Sequence, residues 1–332
     1  MDRYPAAARV LISRVLLPVL AVLALGGAGA ADLSMIHAAR WLAPGADRAV
    51  ALGSVRSECL SVVRDPEQAY LVEVGRAAFR TPIVLGGQAA RAGIACESCH
   101  QGGRSNPDFF FPGLSGAPGT ADVTSSLFSS HRDDGIDNPK PIPDLSGPKD
   151  RLKISQDPAS PALETFIHGL VTQEFDGAEP PPQVLKGLAA YVRALSPAAC
   201  PANARQPLRA ETYIDNARRA VRTAALALNA KDPATAMFLV DAARTQLGLI
   251  NERFDQPVSG RPRAALRSAD ADLQAARSAI RAGDPRAGDR LAVWLAQSPA
   301  WARAVEAGAP QSLFNPARLA AADAKPTGLG GH

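Results

Sequence analysis

The chain has 332 residues, 46% of them hydrophobic and 20% charged, enough to bury a sizeable core and to divide it between about two domains. Only 5% of the residues are aromatic, so close-packed, alanine-rich helices are expected rather than an aromatic interior. A formal charge of +4 is compatible with nucleic-acid binding, but the basic residues are scattered around helical segments without interleaved aromatics, and that pattern excludes nucleic acid as a partner.

Residues 1–31 read as a secretory signal. Arg3, Arg9 and Arg14 precede an apolar run from Val15 to Leu25, and small residues from Gly26 to Ala31 follow, with cleavage expected near Ala30 or Ala31. The run is shorter than the roughly 20 apolar residues of a span, so no stable membrane span is expected after signal cleavage. An uncleaved anchor is the alternative. No cysteine follows the small residues, which argues against a lipoprotein, and the expected compartment is the periplasm. Residues 32–65 form a lead-in, with a short helix near Ser34 to Leu42 stopped by Pro44-Gly45.

A helix is predicted from Pro66, with Ala69, Val72, Gly75, Ala78 and Phe79 on one side and Pro82 ending it. A turn through Ile83-Val84-Leu85-Gly86-Gly87 then leads to Cys96-Glu97-Ser98-Cys99-His100, a C-x-x-C-H motif of the kind that attaches haem. The spacing suits the chemistry. Two thiols on one helical turn reach the two vinyl groups of one porphyrin, and the adjacent imidazole of His100 lies under the iron as its proximal ligand. Zinc would want a second ligand pair, whereas Cys59 and Cys200 are single and distant. A thioredoxin-like pair would want a surrounding βαβ pattern, which is absent from the sequence. One covalent haem c is the expected cofactor, bound by Cys96, Cys99 and His100. In an oxidising compartment Cys59 and Cys200 are left to form a disulfide across the ends of this segment, two free thiols being the alternative.

Residues 102–161 are dense in Gly, Pro, Asn and Asp and show little periodicity, as a loop wrapped round a porphyrin would. Helices are predicted over Pro161–Phe175 and Pro182–Leu195, the latter with Leu185, Leu188, Val192 and Leu195 on one face. The order of helix, haem motif, long wrap and terminal helix resembles a class I cytochrome c. In that family a glycine in the first helix lets the last helix cross closely against an aromatic, and Gly75 and Tyr191 are the matching positions. Gly75-Arg76-Ala77-Ala78-Phe79, the Gly-rich turn and Cys96 to His100 look like the opening of a domain of the di-haem cytochrome c peroxidase and MauG group. The resemblance covers residues 66–200 and departs from the group in having one C-x-x-C-H where the group has two. It implies a class I cytochrome c-like haem domain, and covalent haem attachment outside the cytoplasm agrees with the signal.

The C-terminal third repeats itself. Ile214, Ala217, Val221, Ala224, Leu228, Asp232 and Pro233 recur 52 residues on as Leu266, Ala269, Leu273, Ala276, Ile280, Asp284 and Pro285. Each unit is an amphipathic helix followed by an Asp-Pro helix start, with second helices over Pro233–Phe254 and Pro285–Gln297. Two hairpins predict a four-helix bundle over residues 205–319, followed by a flexible tail over residues 320–332, so the fold class is mainly α throughout.

Function turns on the sixth iron ligand. The mature chain has only Met35 and Met237, neither in residues 66–200, so the distal position falls to a histidine or stays open. His131, in the Gly/Pro-rich wrap, is the preferred candidate, ahead of His168 and His37. The expected function is electron transfer by an exported monohaem c-type cytochrome. The alternative is an enzyme resembling the cytochrome c peroxidases, reducing hydrogen peroxide at an open haem iron. Residues 66–200 carry 11 basic and 15 acidic residues, and residues 201–332 carry 18 basic and 12 acidic. The expected partner is a redox protein, an acidic one if the basic bundle recruits it; the other reading of the asymmetry is that the bundle docks on its own haem domain.

Overall fold

Aspartate and proline set several of the helix starts. Asp65 accepts the amide of Gln68 at 2.8 Å and Pro66 opens helix α2, while Asp232 accepts the amide of Thr235 at 3.0 Å and Pro233 opens α8. In the computed structural model, which describes residues 33–124, 127–131, 136–201, 205–254 and 260–324, the helices are α1 (Arg48–Gly53), α2 (Pro66–Phe79), α3 (Gly87–Arg91), α4 (Cys96–Cys99), α5 (Ala162–Gly169), α6 (Pro182–Ala194), α7 (Ala210–Asn229), α8 (Pro233–Asn251), α9 (Gly260–Arg281), α10 (Ala287–Gly308) and α11 (Pro316–Asp323). The expected secretory signal lies outside the described residues. Sheet is confined, among the described residues, to two antiparallel pairs: β1 (Ser54–Arg56) with β4 (Arg205–Pro207), and β2 (Thr120–Ala121) with β3 (Lys140–Pro141). The chain is mainly helical, as expected, and among the described residues no helix is long and apolar enough to cross a membrane.

Helices α2 and α6 cross at two glycines. A Cβ added to Gly75 would lie 1.9 Å from the carbonyl oxygen of Gly187, so the backbones meet with no room for a side chain. Tyr191, wholly buried on α6, packs its ring 4.9 Å from that of Phe79 on α2. Between α4 and α5 the chain wraps with little regular structure, as its composition predicts.

Helices α7 to α10 pack in a closed cycle, α7 on α8, α8 on α9, α9 on α10 and α10 on α7. The repeat supplies the facing residues: Ile214, Ala217, Val221 and Ala224 are buried on α7, and Leu266, Ala269, Leu273, Ala276 and Ile280 on α9. Two boundaries differ from the sequence reading. Asp284 caps a turn by accepting the amide of Arg286 at 2.9 Å, so α10 begins at Ala287, and it runs through Pro299 to Gly308 instead of stopping at Gln297. Pro299 cannot donate to the carbonyl of Leu295, but the hydroxyl of Ser298 does so at 2.8 Å, removing the usual reason for a helix to end there. The helix predicted over Pro161–Phe175 is α5 followed by a π-helical turn over Leu170–Glu174.

The two ends fold more than the sequence suggests. The lead-in forms 3₁₀ turns over Leu33–Met35 and His37–Trp41 where one helix was expected. The expectation of a flexible tail from Ala320 is corrected in part: Asn315 accepts the amide of Ala317 at 3.0 Å, Pro316 opens α11, and residues beyond 324 lie outside the described ones. Leu319 and Ala322 of α11 bury against Leu33, Ile36, Leu52 and Leu313 in a small core of their own. Buried Arg253 fastens this core to α8, donating to the carbonyls of Leu52 at 2.7 Å and Leu313 at 3.3 Å. The main core is continuous from Val72 to Val305, and α2 packs directly on α7 and α8.

Candidate functional site

The Cys96–His100 segment is a single helical turn with a tight return after it. Ser98 takes the amide of Ala95 on its hydroxyl at 3.0 Å, closing the N-terminal end of α4. Gly102 has φ +61°, and a Cβ there would lie 2.8 Å from the carbonyl oxygen of Ser57, so the strand running towards Cys59 presses on the turn behind His100. The carboxylate of Glu97 accepts the amide of Gly102 at 3.0 Å, tying the two ends of the turn together.

The four cysteines separate into two roles. Cys59 and Cys200 form a disulfide across 141 residues, the pairing favoured from the sequence. Cys96 and Cys99 are free and half-buried, one helical turn apart on α4. Burial pushes the Cys96 thiol up to about 12, and raises the Cys99 thiol further, with Cys96 as the second cause. Both are therefore protonated at neutral pH. A redox pair or a nucleophilic cysteine has its thiol lowered instead, so these two lack the electrostatics of a thioredoxin-like site.

His100 is held in one tautomer. Its Nδ1 lies 3.0 Å from the carbonyl oxygen of Pro143, which can only accept, so the proton sits on Nδ1 and the lone pair on Nε2. Burial pushes the imidazole down to about 4, outweighing the Pro143 carbonyl and Asp144, so the ring is neutral at pH 7. A neutral imidazole whose other nitrogen donates to a backbone carbonyl is the form in which histidine binds a metal. The ring of Phe79 lies 6.4 Å from it. Among the described residues no three His, Cys, Asp or Glu side chains gather to hold a metal ion, so the ligands of a protein-only zinc site are not assembled around His100. Two protonated thiols and one oriented imidazole do fit a covalent haem, whose porphyrin brings the remaining iron ligands.

The other described histidines pair with carboxylates. His131 Nε2 lies 3.7 Å from Asp176, which also accepts the amide of Ser130 at 2.9 Å and its hydroxyl at 3.0 Å, and the His131 side chain is 54% exposed. His168 Nε2 lies 2.7 Å from Glu179. His37 pairs through Nδ1 with Glu252 and packs over Gly93. Met35 is exposed, and Met237 is part-buried on α8 among core residues. The structure thus brings Cys96, Cys99 and His100 together and gives His131 a carboxylate partner in Asp176.

A buried charge network, not anticipated from the sequence, lies against the motif. Glu58 accepts Tyr191 Oη at 2.7 Å, Arg80 Nη2 at 2.8 Å and Arg76 Nη2 at 2.5 Å. Burial alone would raise the Glu58 carboxyl; Arg80 and Arg76 outweigh it and hold it at about 2. Arg80 also faces Glu97 at 3.7 Å and lies over the Tyr191 ring, 5.8 Å from its centroid. Its partners are spread over the sequence, so the only signal was arginine in a helix face otherwise apolar. A surface cleft lined by Glu73, Arg76, Arg80, Asn216, Arg219 and Gln246 borders this network, and another of about 330 Å3 lies on α9 and α10 around Trp294 and Arg290. Comparison with protein-family models, curated proteins and solved structures finds no match to the chain.

Proposed function

We propose that the protein is an exported monohaem c-type cytochrome that transfers electrons in the periplasm. When bound, the haem supplies a one-electron couple at its iron. Cys96 and Cys99 would hold it through thioether bonds, each made by adding S–H across one vinyl C=C with no net oxidation. His100 supplies the proximal nitrogen. The observation that carries this reading is His100 itself, neutral, fixed through Nδ1 by the Pro143 carbonyl and adjacent to two free thiols. The glycine crossing of α2 and α6 against Tyr191, at the positions matched to class I cytochromes c, supports residues 66–200 as the haem domain. We read α7 to α10 as a four-helix bundle with a packing and docking role, and the partner as a redox protein, acidic where it meets the basic bundle.

His131 is the proposed distal ligand. Its contact with Asp176 is long and solvent-exposed, worth about 1 kcal/mol at most, so leaving it for an iron costs little. That His131 is already engaged with Asp176 favours a second reading, peroxide reduction at an open iron, with two electrons from an external donor and two protons converting each peroxide to two waters. The ferric spectrum separates the two. A low-spin haem indifferent to cyanide, which His131→Ala turns high-spin and cyanide-binding, is the expected result. A wild-type haem already high-spin, with rapid peroxide turnover, overturns the electron-carrier reading in favour of the enzyme.

A further inference from the structure

Glu97 stands between the two anchoring cysteines, yet it does not face water. Its side chain is 22% exposed, one oxygen takes the Gly102 amide at 3.0 Å, and the other looks towards Arg80 at 3.7 Å. Arg80 follows Phe79, whose ring neighbours His100, and is itself held at several points: Nη2 on Glu58 at 2.8 Å, Nη1 on the carbonyl of Arg76 at 3.0 Å, and the guanidinium plane over Tyr191. Its side chain is 14% exposed, as is that of Glu58, so the whole arrangement is shielded from counterions.

We propose that Arg80 is a positioning residue of the haem site, fixing the turn Cys96–Gly103 through Glu97 and setting the reduction potential with a permanent buried positive charge. The proposal rests on the cytochrome reading. Its physics is a matter of sign. Ferric haem carries one positive charge more than ferrous haem, so a fixed cation nearby disfavours the ferric form and raises the potential. Arg80 balances the carboxylate of Glu58 and faces Glu97, whose carboxyl burial raises against the opposing pull of Arg80. Without it the pocket becomes more negative, because Glu58 still has Arg76 to keep it ionised, and the ferric form gains. A guanidinium is suited to this role, since it stays charged when buried, and one of its nitrogens reaches both Glu58 and Glu97 while its central carbon lies 5.8 Å from the Tyr191 ring centroid.

The test is a redox titration of the haem-loaded full chain. Arg80→Gln, which keeps donors and loses the charge, is expected to lower the midpoint potential, and Arg80→Lys to restore most of it. Equal potentials in wild type and Arg80→Gln, or a lysine variant as low as the glutamine one, would overturn the proposal. Should Arg80→Gln fail to fold, Glu58→Gln removes a negative charge beside Arg80 and is expected to raise the potential; no change there overturns it equally. A wild-type chain without covalent haem would instead be a failure of the cytochrome reading, distinguishable because no haem couple would be titrated at all.

Discussion

At the scale of single residues, the site depends on side chains whose protonation is set by what surrounds them. Glu58 is the clearest case. Its carboxyl is held at about 2 against an ordinary 4.5, so in acid the unfolded chain takes up the proton first. The stabilisation is complete above about pH 4.5, roughly 3 kcal/mol by linkage, and is lost as pH falls through the folded value near 2. Glu58→Gln should therefore cost about 3 kcal/mol in urea unfolding at pH 7, with a flatter decline than wild type between pH 4.5 and pH 2. Equal stability at pH 7, or parallel acid profiles, would show that the network contributes nothing. The cysteines and His100 were legible in the sequence because haem attachment needs them contiguous. Pro143 was not, because nothing in the spacing tells which carbonyl, 43 residues on, will meet Nδ1.

At the scale of elements, the α2 and α6 crossing is the joint on which the Cys96–His100 segment hangs. Gly75→Ala puts a methyl group into the Gly187 backbone, which cannot move aside as a flexible side chain could, and should cost about 3 kcal/mol, near the upper end of overpacking effects. Gly248→Ala on α8 is the control: nothing lies within 4 Å of the new Cβ, and relief of glycine's helix penalty should stabilise by about 1 kcal/mol. Thermal unfolding of the two variants measures both, and like signs would contradict the geometry. The helices of the repeat were readable because apolar residues recur at helical steps and Asp-Pro marks the turns. The length of α10 was not, because Pro299 is a breaker by rule and is tolerated through one hydroxyl, that of Ser298. The Asn315-Pro316 start of α11 was a readable signal of the same kind as Asp65-Pro66.

At the scale of the whole molecule, charge asymmetry is a poor guide to how the parts meet. A negative segment over residues 66–200 and a positive C-terminal third suggest electrostatic docking, but α2 meets α7 and α8 through the continuous apolar core. The ion pair seen across that contact, Arg219 with Glu73 at 3.5 Å, is part-exposed and adds little. The disulfide between Cys59 and Cys200 and the pairing of β1 with β4 further tie down the segment between α6 and α7. We propose that the basic surface of the C-terminal helices is where a partner docks. All of this serves a single claim, that the Cys96–His100 turn carries covalent haem, and the most direct test is the mass of the chain. Produced by export in a host that matures c-type cytochromes, then denatured and reduced, the protein should run with one haem still attached. Cys96→Ala/Cys99→Ala made in the same way should run at the bare polypeptide mass. A wild-type chain without haem, or a double variant that keeps it, would contradict the account.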